Sequence, residues 1–209
     1  MSTRIRDYRS DAATVATPGM RQAMANAEVG DDFSGEDPTV NRLEDMSAQM
    51  FGKEAALFVI SGTMANQIAI MAATQHGDEV LLDEKSHIYN MEAGALAALA
   101  GVQARPLHST DGEFNFLDVQ QAIRNHGLQF PTTRMLCLEN TYDLNRGIPL
   151  SEEYMSEVAR VAHRYELLVY LDGARIFNTV TALKIDPKIL CQGIDAMQFS
   201  LCKGLCAPV

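Results

Sequence analysis

Blocks of apolar and polar residues alternate along the chain in a way that predicts strands and helices in turn. Short continuous apolar runs, such as residues 135–138 (Met-Leu-Cys-Leu), are typical of strands buried on both faces of a sheet. Longer stretches with apolar residues at helical spacing, such as residues 38–50, predict helices. The predicted helices cover residues 20–27, 38–50, 62–75, 91–99, 117–124 and 151–164, and the predicted strands cover residues 55–60, 79–82, 102–107, 135–138, 167–171 and 196–201. Strands joined by helices indicate an α/β fold with three layers, αβα, around a mostly parallel sheet.

Local signals mark where two of these helices begin. Asp37 followed by Pro38 combines an N-cap with proline at the first helical position, and Ser151 caps a helix that has two acids in its first turn. Residues 7–11 are polar and lack periodicity. We therefore predict an N-terminal arm over residues 1–18 and one α/β domain over residues 19–209.

Composition and charge narrow the choice of partner. A chain of 209 residues that is 47% apolar can bury a sizeable core. Its formal net charge is −10 without a lysine or arginine cluster, and such a surface repels nucleic acid and anionic membranes, so we expect a small-molecule partner. The first seven residues are charged and show no secretory signal. The cysteines lack CxxC or zinc-type spacing, which predicts reduced thiols, no metal site and a cytoplasmic location; they are Cys137, Cys191, Cys202 and Cys206.

Two polar segments directly follow apolar strands, at the edge of a parallel sheet where ligands bind. Residues 172–175 (Asp-Gly-Ala-Arg) deliver an acid and an arginine, and Lys203 stands among apolar residues near the other strand. A desolvated lysine amine suits Schiff-base chemistry, and a nearby aspartate can keep a pyridinium nitrogen protonated. The alternatives are a mutual ion pair between Asp172 and Arg175 and a Lys203 side chain that reaches solvent from the sheet edge.

Further candidates stand at other junctions between strands and helices. Gly62 and Thr63, after Ser61, would let backbone N–H groups and a hydroxyl approach an anion at a helix N-terminus, although a serine cap with a glycine for close packing explains them equally well. His87 precedes a helix and could stack on a flat cofactor ring, work as an acid or base, or simply cap the helix.

Taken together, these segments resemble the threonine aldolase family of pyridoxal-phosphate enzymes, within the aromatic-amino-acid/β-eliminating lyase group. The matching motifs run in order along the whole chain: residues 9–11 (Arg-Ser-Asp), 29–32, 35–41, 52–58, 61–66, 86–88, 138–141, 172–178, 203–205 and 207–209. The resemblance implies the large domain of the pyridoxal-phosphate fold type I, a homodimer or homotetramer, and a small C-terminal domain that would follow residue 209.

The resemblance also implies a role for each candidate residue. Lys203 would bond covalently to pyridoxal 5'-phosphate, Asp172 would pair with its pyridinium nitrogen, and His87 would stack on its ring. Gly62 and Thr63 would bind the phosphate. Ser10 and Arg175 would hold the substrate carboxylate. The implied reaction is retro-aldol cleavage of a β-hydroxy-α-amino acid, such as threonine or allo-threonine, to glycine and an aldehyde.

Four positions depart from the family pattern, one of them Cys202, which stands where serine usually precedes the lysine. Gln129 stands where bacterial aldolases carry a histidine that contacts the substrate hydroxyl, and glutamine cannot take up that proton near neutral pH. Tyr142 replaces another common histidine, and Ser34 replaces a tyrosine. Gln129, Tyr142 and Ser34 leave two alternatives open: β-elimination, or another β-hydroxy amino acid as substrate. The abrupt end of the sequence at Val209 leaves a third, a catalytically incomplete fragment.

Overall fold

A computed structural model of the chain describes residues 7–125, 127–142 and 146–207. The parts of the predictions that concern residues 1–6, Pro208 and Val209 lie outside the described residues. The helices are α1 (Pro18–Ala25), α2 (Pro38–Phe51), α3 (Gly62–Ala73), α4 (His87–Asn90), a π-helix (Leu96–Ala100), α5 (Phe116–Ala122), α6 (Glu152–His163), α7 (Ile176–Leu183) and α8 (Pro187–Leu190). The strands are β1 (Glu79–Asp83), β2 (Gln103–Leu107), β3 (Ser109–Thr110), β4 (Glu113–Phe114), β5 (Thr133–Glu139), β6 (Leu168–Asp172) and β7 (Ala196–Gln198).

Five of the strands form one parallel sheet in the order β2-β1-β5-β6-β7. Successive residues of β5 face opposite sides: Leu136 and Leu138 join an apolar cluster with α5, α6 and α8, whereas Met135 and Cys137 join a second cluster with α3 and the π-helix. Such burial on both faces explains why the central strands are continuous apolar runs. The predicted three-layer αβα fold is therefore confirmed.

The predicted caps of α2 and α6 are confirmed. The side chain of Asp37 accepts from the backbone N–H groups of Thr39 and Val40 at 2.9 and 3.0 Å, and Pro38 occupies the first turn. The hydroxyl of Ser151 accepts from the N–H of Tyr154 at 3.2 Å. In both helices a side-chain oxygen satisfies N–H groups that have no partner inside the helix.

The strand predicted over residues 55–60 is absent. The segment belongs to no strand and lines a cavity beside α3, with Leu57 and Ile60 exposed. An apolar run predicts burial or extension but does not identify a hydrogen-bonding partner. Neighbouring β7 is also shorter than predicted, because the chain leaves the sheet after Gln198.

The helix predicted over residues 91–99 is largely wrong. Ala93 and Gly94 adopt positive φ angles of 53° and 73°, which interrupts the helix, and only the π-helical turn Leu96–Ala100 follows. The interruption directs Glu92 into the interior, so tertiary contacts override the helical propensity of alanine. The prediction also missed α4, the β3–β4 hairpin, α7 and α8. None of the helices in the described part of the chain has both the length and the apolar character needed to cross a lipid bilayer.

Candidate active site

A cavity of about 710 Å³ opens at the carboxyl edge of the sheet, beside the N-terminus of α3. Three polar residues lie side by side at this edge, because the register pairs Glu139 with Asp172 and Asp172 with Gln198. The structure brings six of the predicted site residues together around the cavity: Gly62, Thr63, His87, Asp172, Arg175 and Lys203.

Asp172 is only 3% exposed and accepts hydrogen bonds at both carboxylate oxygens. Its Oδ2 accepts from Nδ2 of Asn66 at 2.9 Å, and its Oδ1 accepts from the N–H of Ala174 at 3.1 Å and from Nε2 of Gln198 at 2.5 Å. An ionised carboxylate accepts several hydrogen bonds of this kind. The carboxylate is thus held in one orientation at the wall of the cavity.

His87 is held by two carboxylates. Its backbone N–H donates to Oε2 of Glu139 at 2.8 Å, and its ring Nδ1 lies 2.9 Å from Oε1 of Glu92. The hydrogen bond to Glu92 raises the pKa of the imidazole, partly opposed by burial and reinforced by the charges of Asp172 and Glu139. The ring is therefore both oriented and biased toward its protonated form.

Glu92 is the functional candidate that sequence reasoning missed. Its side chain is fully buried and accepts from Nδ2 of Asn66 at 2.7 Å and from Nε2 of Gln67 at 2.5 Å. Its position five residues after His87 was the only signal in the sequence, and the surrounding alanines indicated an ordinary helix. Ligand atoms of His87, Glu92 and Asp172 also come within 4.8 Å of one another. Both carboxylates are, however, already engaged by amide donors, which indicates a hydrogen-bond network.

Glu139 contributes a second perturbed acid. Burial, aided by the charge of Asp172, raises its pKa to about 7. Among the described residues, its buried Oε1 has no hydrogen-bond partner, and the same holds for Oγ1 of Thr141 and Oε1 of Gln198. All three residues line the cavity. Buried polar atoms usually have partners, so this wall is suited to a polar ligand.

Arg175 forms its ion pair with Asp11 on the N-terminal arm and not with Asp172. Nε and Nη2 of Arg175 both contact the Asp11 carboxylate, the latter at 3.0 Å from Oδ1. The arm is attached again three residues later, where the hydroxyl of Thr14 donates to the carbonyl of Cys202 at 2.6 Å. The arm therefore lies against the segment that carries Lys203.

Lys203 lies in a turn at the mouth of the cavity and is partly buried. Within the described residues its amine makes no hydrogen bond or ion pair. Gly204 permits the turn to pack closely, because a Cβ there would lie 2.9 Å from Oδ1 of Asn178. An unpaired, half-buried amine facing a cavity is suited to a carbonyl group as its reaction partner.

The N-terminus of α3 fits a phosphate group. Ser61 caps this 12-residue helix through a 3.1 Å hydrogen bond from the N–H of Met64. A Cβ at Gly62 would lie 3.3 Å from Oε1 of Gln198 and 3.4 Å from Oγ of Ser200, so glycine keeps a polar cradle open. Helix N-termini favour anions through their unpaired N–H groups and dipole. Together with Lys203 and Asp172, these residues fit pyridoxal phosphate.

Two predicted substrate contacts do not line the cavity in a single copy of the chain. Ser10 is exposed on the arm, and its hydroxyl accepts from the N–H of Ala12. Gln129 is exposed in the turn that precedes β5. Two other departures from the family pattern also lie elsewhere: the hydroxyl of Tyr142 donates to Oδ1 of Asp83 in the core at 2.9 Å, and Ser34 donates to Asp31 on the surface.

Fold and site together define an αβα domain with a cavity at the carboxyl edge of its sheet, the arrangement of fold type I enzymes. The chain belongs to the β-eliminating lyase family, whose family model matches residues 7–209. The predicted family is thereby confirmed.

Several relatives are threonine aldolases by name. Low-specificity L-threonine aldolase 1 of Arabidopsis thaliana is 44% identical over 207 residues, covering 97% of this chain and 58% of the relative. Low specificity L-threonine aldolase of Escherichia coli is 39% identical over 204 residues, covering 97% of this chain and 60% of the relative. The chain therefore spans about three fifths of the length of these curated relatives.

Solved structures share the fold at low sequence identity. A threonine aldolase of Leishmania major has a TM-score of 0.77 at 19% identity, covering 89% of this chain and 55% of that chain. Cystathionine gamma-lyase of Lactobacillus plantarum has a TM-score of 0.57 at 19% identity, covering 78% of this chain and 38% of that chain. These likenesses support the fold alone.

Proposed function

We propose that this chain is the cofactor-binding large domain of a pyridoxal-phosphate-dependent lyase. The enzyme would cleave a β-hydroxy-α-amino acid of the threonine or allo-threonine type to glycine and an aldehyde. One observation carries the proposal: Lys203, whose amine makes no hydrogen bond or ion pair to the described residues, and the buried carboxylate of Asp172 line the same cavity. The 39–44% identity to low-specificity threonine aldolases supports the choice of reaction.

Each residue then has a defined task. Lys203 would hold the cofactor, Gly62 and Thr63 its phosphate, Asp172 its ring nitrogen, and His87 one face of its ring. When bound, the cofactor supplies an electron sink for charge that develops on the substrate's α-carbon.

The chain's own side chains would bind the substrate and move its protons. Arg175 would bind the substrate carboxylate, because a guanidinium fork matches carboxylate geometry. Ser10 is exposed on the arm and would join Arg175 only if an assembly brought it to the cavity. Asp11 engages the Nε and Nη2 groups of Arg175, which leaves Nη1 available to that carboxylate. The amine of Lys203 can hold a proton that leaves or returns to the α-carbon. Gln129 would contact the substrate hydroxyl only if another chain segment or another copy brought it to the cavity.

We propose further that the enzyme is a cytoplasmic homodimer or homotetramer with an arm over residues 1–18 and a cofactor-binding domain over residues 19–209. Free cysteines without CxxC or zinc-type spacing support the location. The outer face of α3 supports self-association, because three large apolar residues at helical spacing are exposed there: Met64, Ile68 and Met71.

The visible spectrum of the purified protein with pyridoxal phosphate tests the function. We expect an absorbance band that changes when threonine or glycine is added, and glycine plus an aldehyde as products of threonine cleavage. Lys203→Ala should abolish the band, while Lys85→Ala, at an exposed lysine, should retain it. Ammonia and a keto acid as products would indicate β-elimination instead. Absence of the band in the wild type would indicate a catalytically incomplete fragment.

A further inference from the structure

Glu92 stands at the centre of a buried network that connects two residues of the proposed cofactor site. Three nitrogen atoms from two helices approach its carboxylate: Nδ2 of Asn66, Nε2 of Gln67 and Nδ1 of His87. The side chain is fully buried, and its position depends on the interruption of the helix at Ala93 and Gly94. A carboxylate costs several kcal/mol to bury without compensation, so this placement calls for an explanation.

The network continues from Glu92 to Asp172 through one amide. Oδ1 of Asn66 accepts from the hydroxyl of Tyr170 at 2.8 Å, which fixes the amide so that its nitrogen faces the carboxylates. That nitrogen then donates to Glu92 at 2.7 Å and to Asp172 at 2.9 Å. The two N–H groups of Asn66 thus connect the two carboxylates, and all of the hydrogen-bonding capacity of its amide nitrogen is used.

We propose that Glu92 is a positioning residue, whose carboxylate sets the ring orientation and charge of His87 and, through Asn66, the orientation of Asp172. This proposal depends on the proposed function in one respect: the proposed function places His87 and Asp172 next to the cofactor. With Nδ1 held by Glu92, Nε2 is the ring nitrogen left to act in the cavity.

Charge balance supports this role. The titratable groups that act on His87 are Glu92, Asp172 and Glu139, and the charge of Arg175 in turn acts on Glu139. An imidazolium is the cation that compensates the carboxylate of Glu92 directly. Consistently, the hydrogen bond to Glu92 is the largest cause that raises the pKa of His87.

The test is the pKa of the His87 imidazole, measured by NMR titration of the cofactor-free protein. The His87 resonance is identified by its loss in a His87→Asn variant. In Glu92→Gln we expect this pKa to fall by about one unit or more, a tenfold change in proton affinity. Glu157→Gln, which makes the same change of net charge at an exposed site on α6, should leave it unchanged.

A purely structural role for Glu92 predicts a different result. Glu92→Gln would then lower the melting temperature but leave the His87 pKa within the scatter of the Glu157→Gln control, and that outcome overturns the proposal. A separate titration with pyridoxal phosphate should show about tenfold weaker binding in Glu92→Gln. If the wild type fails to bind the cofactor at all, the proposed function fails while the NMR result still decides the role of Glu92.

A variant that exchanges the side chains of Gln67 and Glu92 keeps the test valid if Glu92→Gln alone does not fold. The double variant Gln67→Glu/Glu92→Gln keeps one amide and one carboxylate in contact but presents an amide to Nδ1 of His87. We expect it to fold and to show a His87 pKa between those of the wild type and Glu92→Gln. A wild-type pKa in this variant, or failure of both variants to fold, would assign Glu92 to the fold alone.

Discussion

The carboxylate of Asp172 is engaged at both oxygens, by Asn66 at Oδ2 and by Ala174 and Gln198 at Oδ1. An amide in its place would carry no charge to stabilise a protonated ring nitrogen. The side-chain NH2 group of the asparagine would also face one of the N–H groups from which the carboxylate of Asp172 now accepts a hydrogen bond. Asp172→Asn therefore removes the charge of this residue at nearly unchanged volume and also disrupts at least one of its hydrogen bonds.

We expect Asp172→Asn to retain pyridoxal phosphate but to lose turnover of threonine by a factor on the order of 10², the typical cost of losing a preorganised electrostatic group. Cofactor content by absorbance and steady-state kinetics provide the two measurements. Asp186→Asn, at the cap of the short helix α8, should change neither. Turnover close to that of the wild type would remove Asp172 from the proposed mechanism.

Glu139 should make stability depend on pH. Its pKa is raised from a usual value of 4.5 to about 7 in the folded protein, chiefly by burial. The folded state then binds the proton more tightly than the unfolded state. The resulting stabilisation is complete below pH 4.5 and is lost as pH rises through about 7.

Glu139→Gln should remove the pH-dependent part of the free energy of unfolding, which is on the order of 2 kcal/mol. The amide oxygen of the glutamine would still accept from the N–H of His87. Relative to the wild type, the variant should therefore have a higher melting temperature at about pH 8 than at about pH 5. Thermal denaturation at the two pH values measures it. A difference independent of pH would mean that Glu139 is ionised at both.

At the level of single residues, the sequence locates the groups that follow strands but not those placed by tertiary contacts. Asp172, Arg175 and Lys203 could be predicted because each ends or follows an apolar run at the ligand-binding edge of a parallel sheet. Glu92 could not, because its inward direction depends on two positive φ angles. Nor could the pairing of Arg175 with Asp11, 164 positions away, since long-range partners leave no local pattern.

At the level of elements, strands and helices with a clear period were predictable, and those that depend on neighbours were not. Helices α2 and α6 carry caps and an amphipathic face, so both position and start were correct. Residues 55–60 have strand composition but no strand beside them in the described chain. Composition records how a segment is buried and not what it pairs with.

The first position of α3 provides a test at the element scale. Ala at position 62 has no strained backbone to adopt, but its Cβ would approach Oε1 of Gln198 to 3.3 Å and Oγ of Ser200 to 3.4 Å. We expect Gly62→Ala to weaken pyridoxal phosphate binding about tenfold, since backbone N–H groups at a helix start must approach a phosphate closely. Fluorescence or absorbance titration with the cofactor measures this.

The matched control is Gly19→Ala, in the first turn of α1, where the nearest atom to a new Cβ is Oγ1 of Thr17 at 4.0 Å. It should leave cofactor affinity unchanged and stabilise slightly, by about 0.4–1 kcal/mol, because alanine restricts the unfolded chain. Equal affinity in both variants would mean that the phosphate does not lie at α3.

At the scale of the whole molecule, the apolar outer face of α3 is the feature that a single copy of the chain leaves unexplained. Met64, Ile68 and Met71 recur at helical spacing and are 41%, 36% and 51% exposed. The cavity opens beside this helix and two predicted site residues, Ser10 and Gln129, lie outside it. An assembly that covers α3 would bury this surface and complete the walls of the site.

Met71→Lys tests the assembly, because a lysine is costly to bury in an apolar interface and Met71 does not line the cavity. We expect the wild type to sediment as a dimer or tetramer and Met71→Lys to dissociate at least about tenfold more readily, the effect of roughly 1.4 kcal/mol. Met24→Lys, at an equally exposed methionine on α1, is the control and should sediment as the wild type does. A monomeric wild type would refute the oligomer directly. If Met71→Lys assembled like Met24→Lys, the α3 face would not be the interface, and another surface would have to bring Ser10 and Gln129 to the cavity.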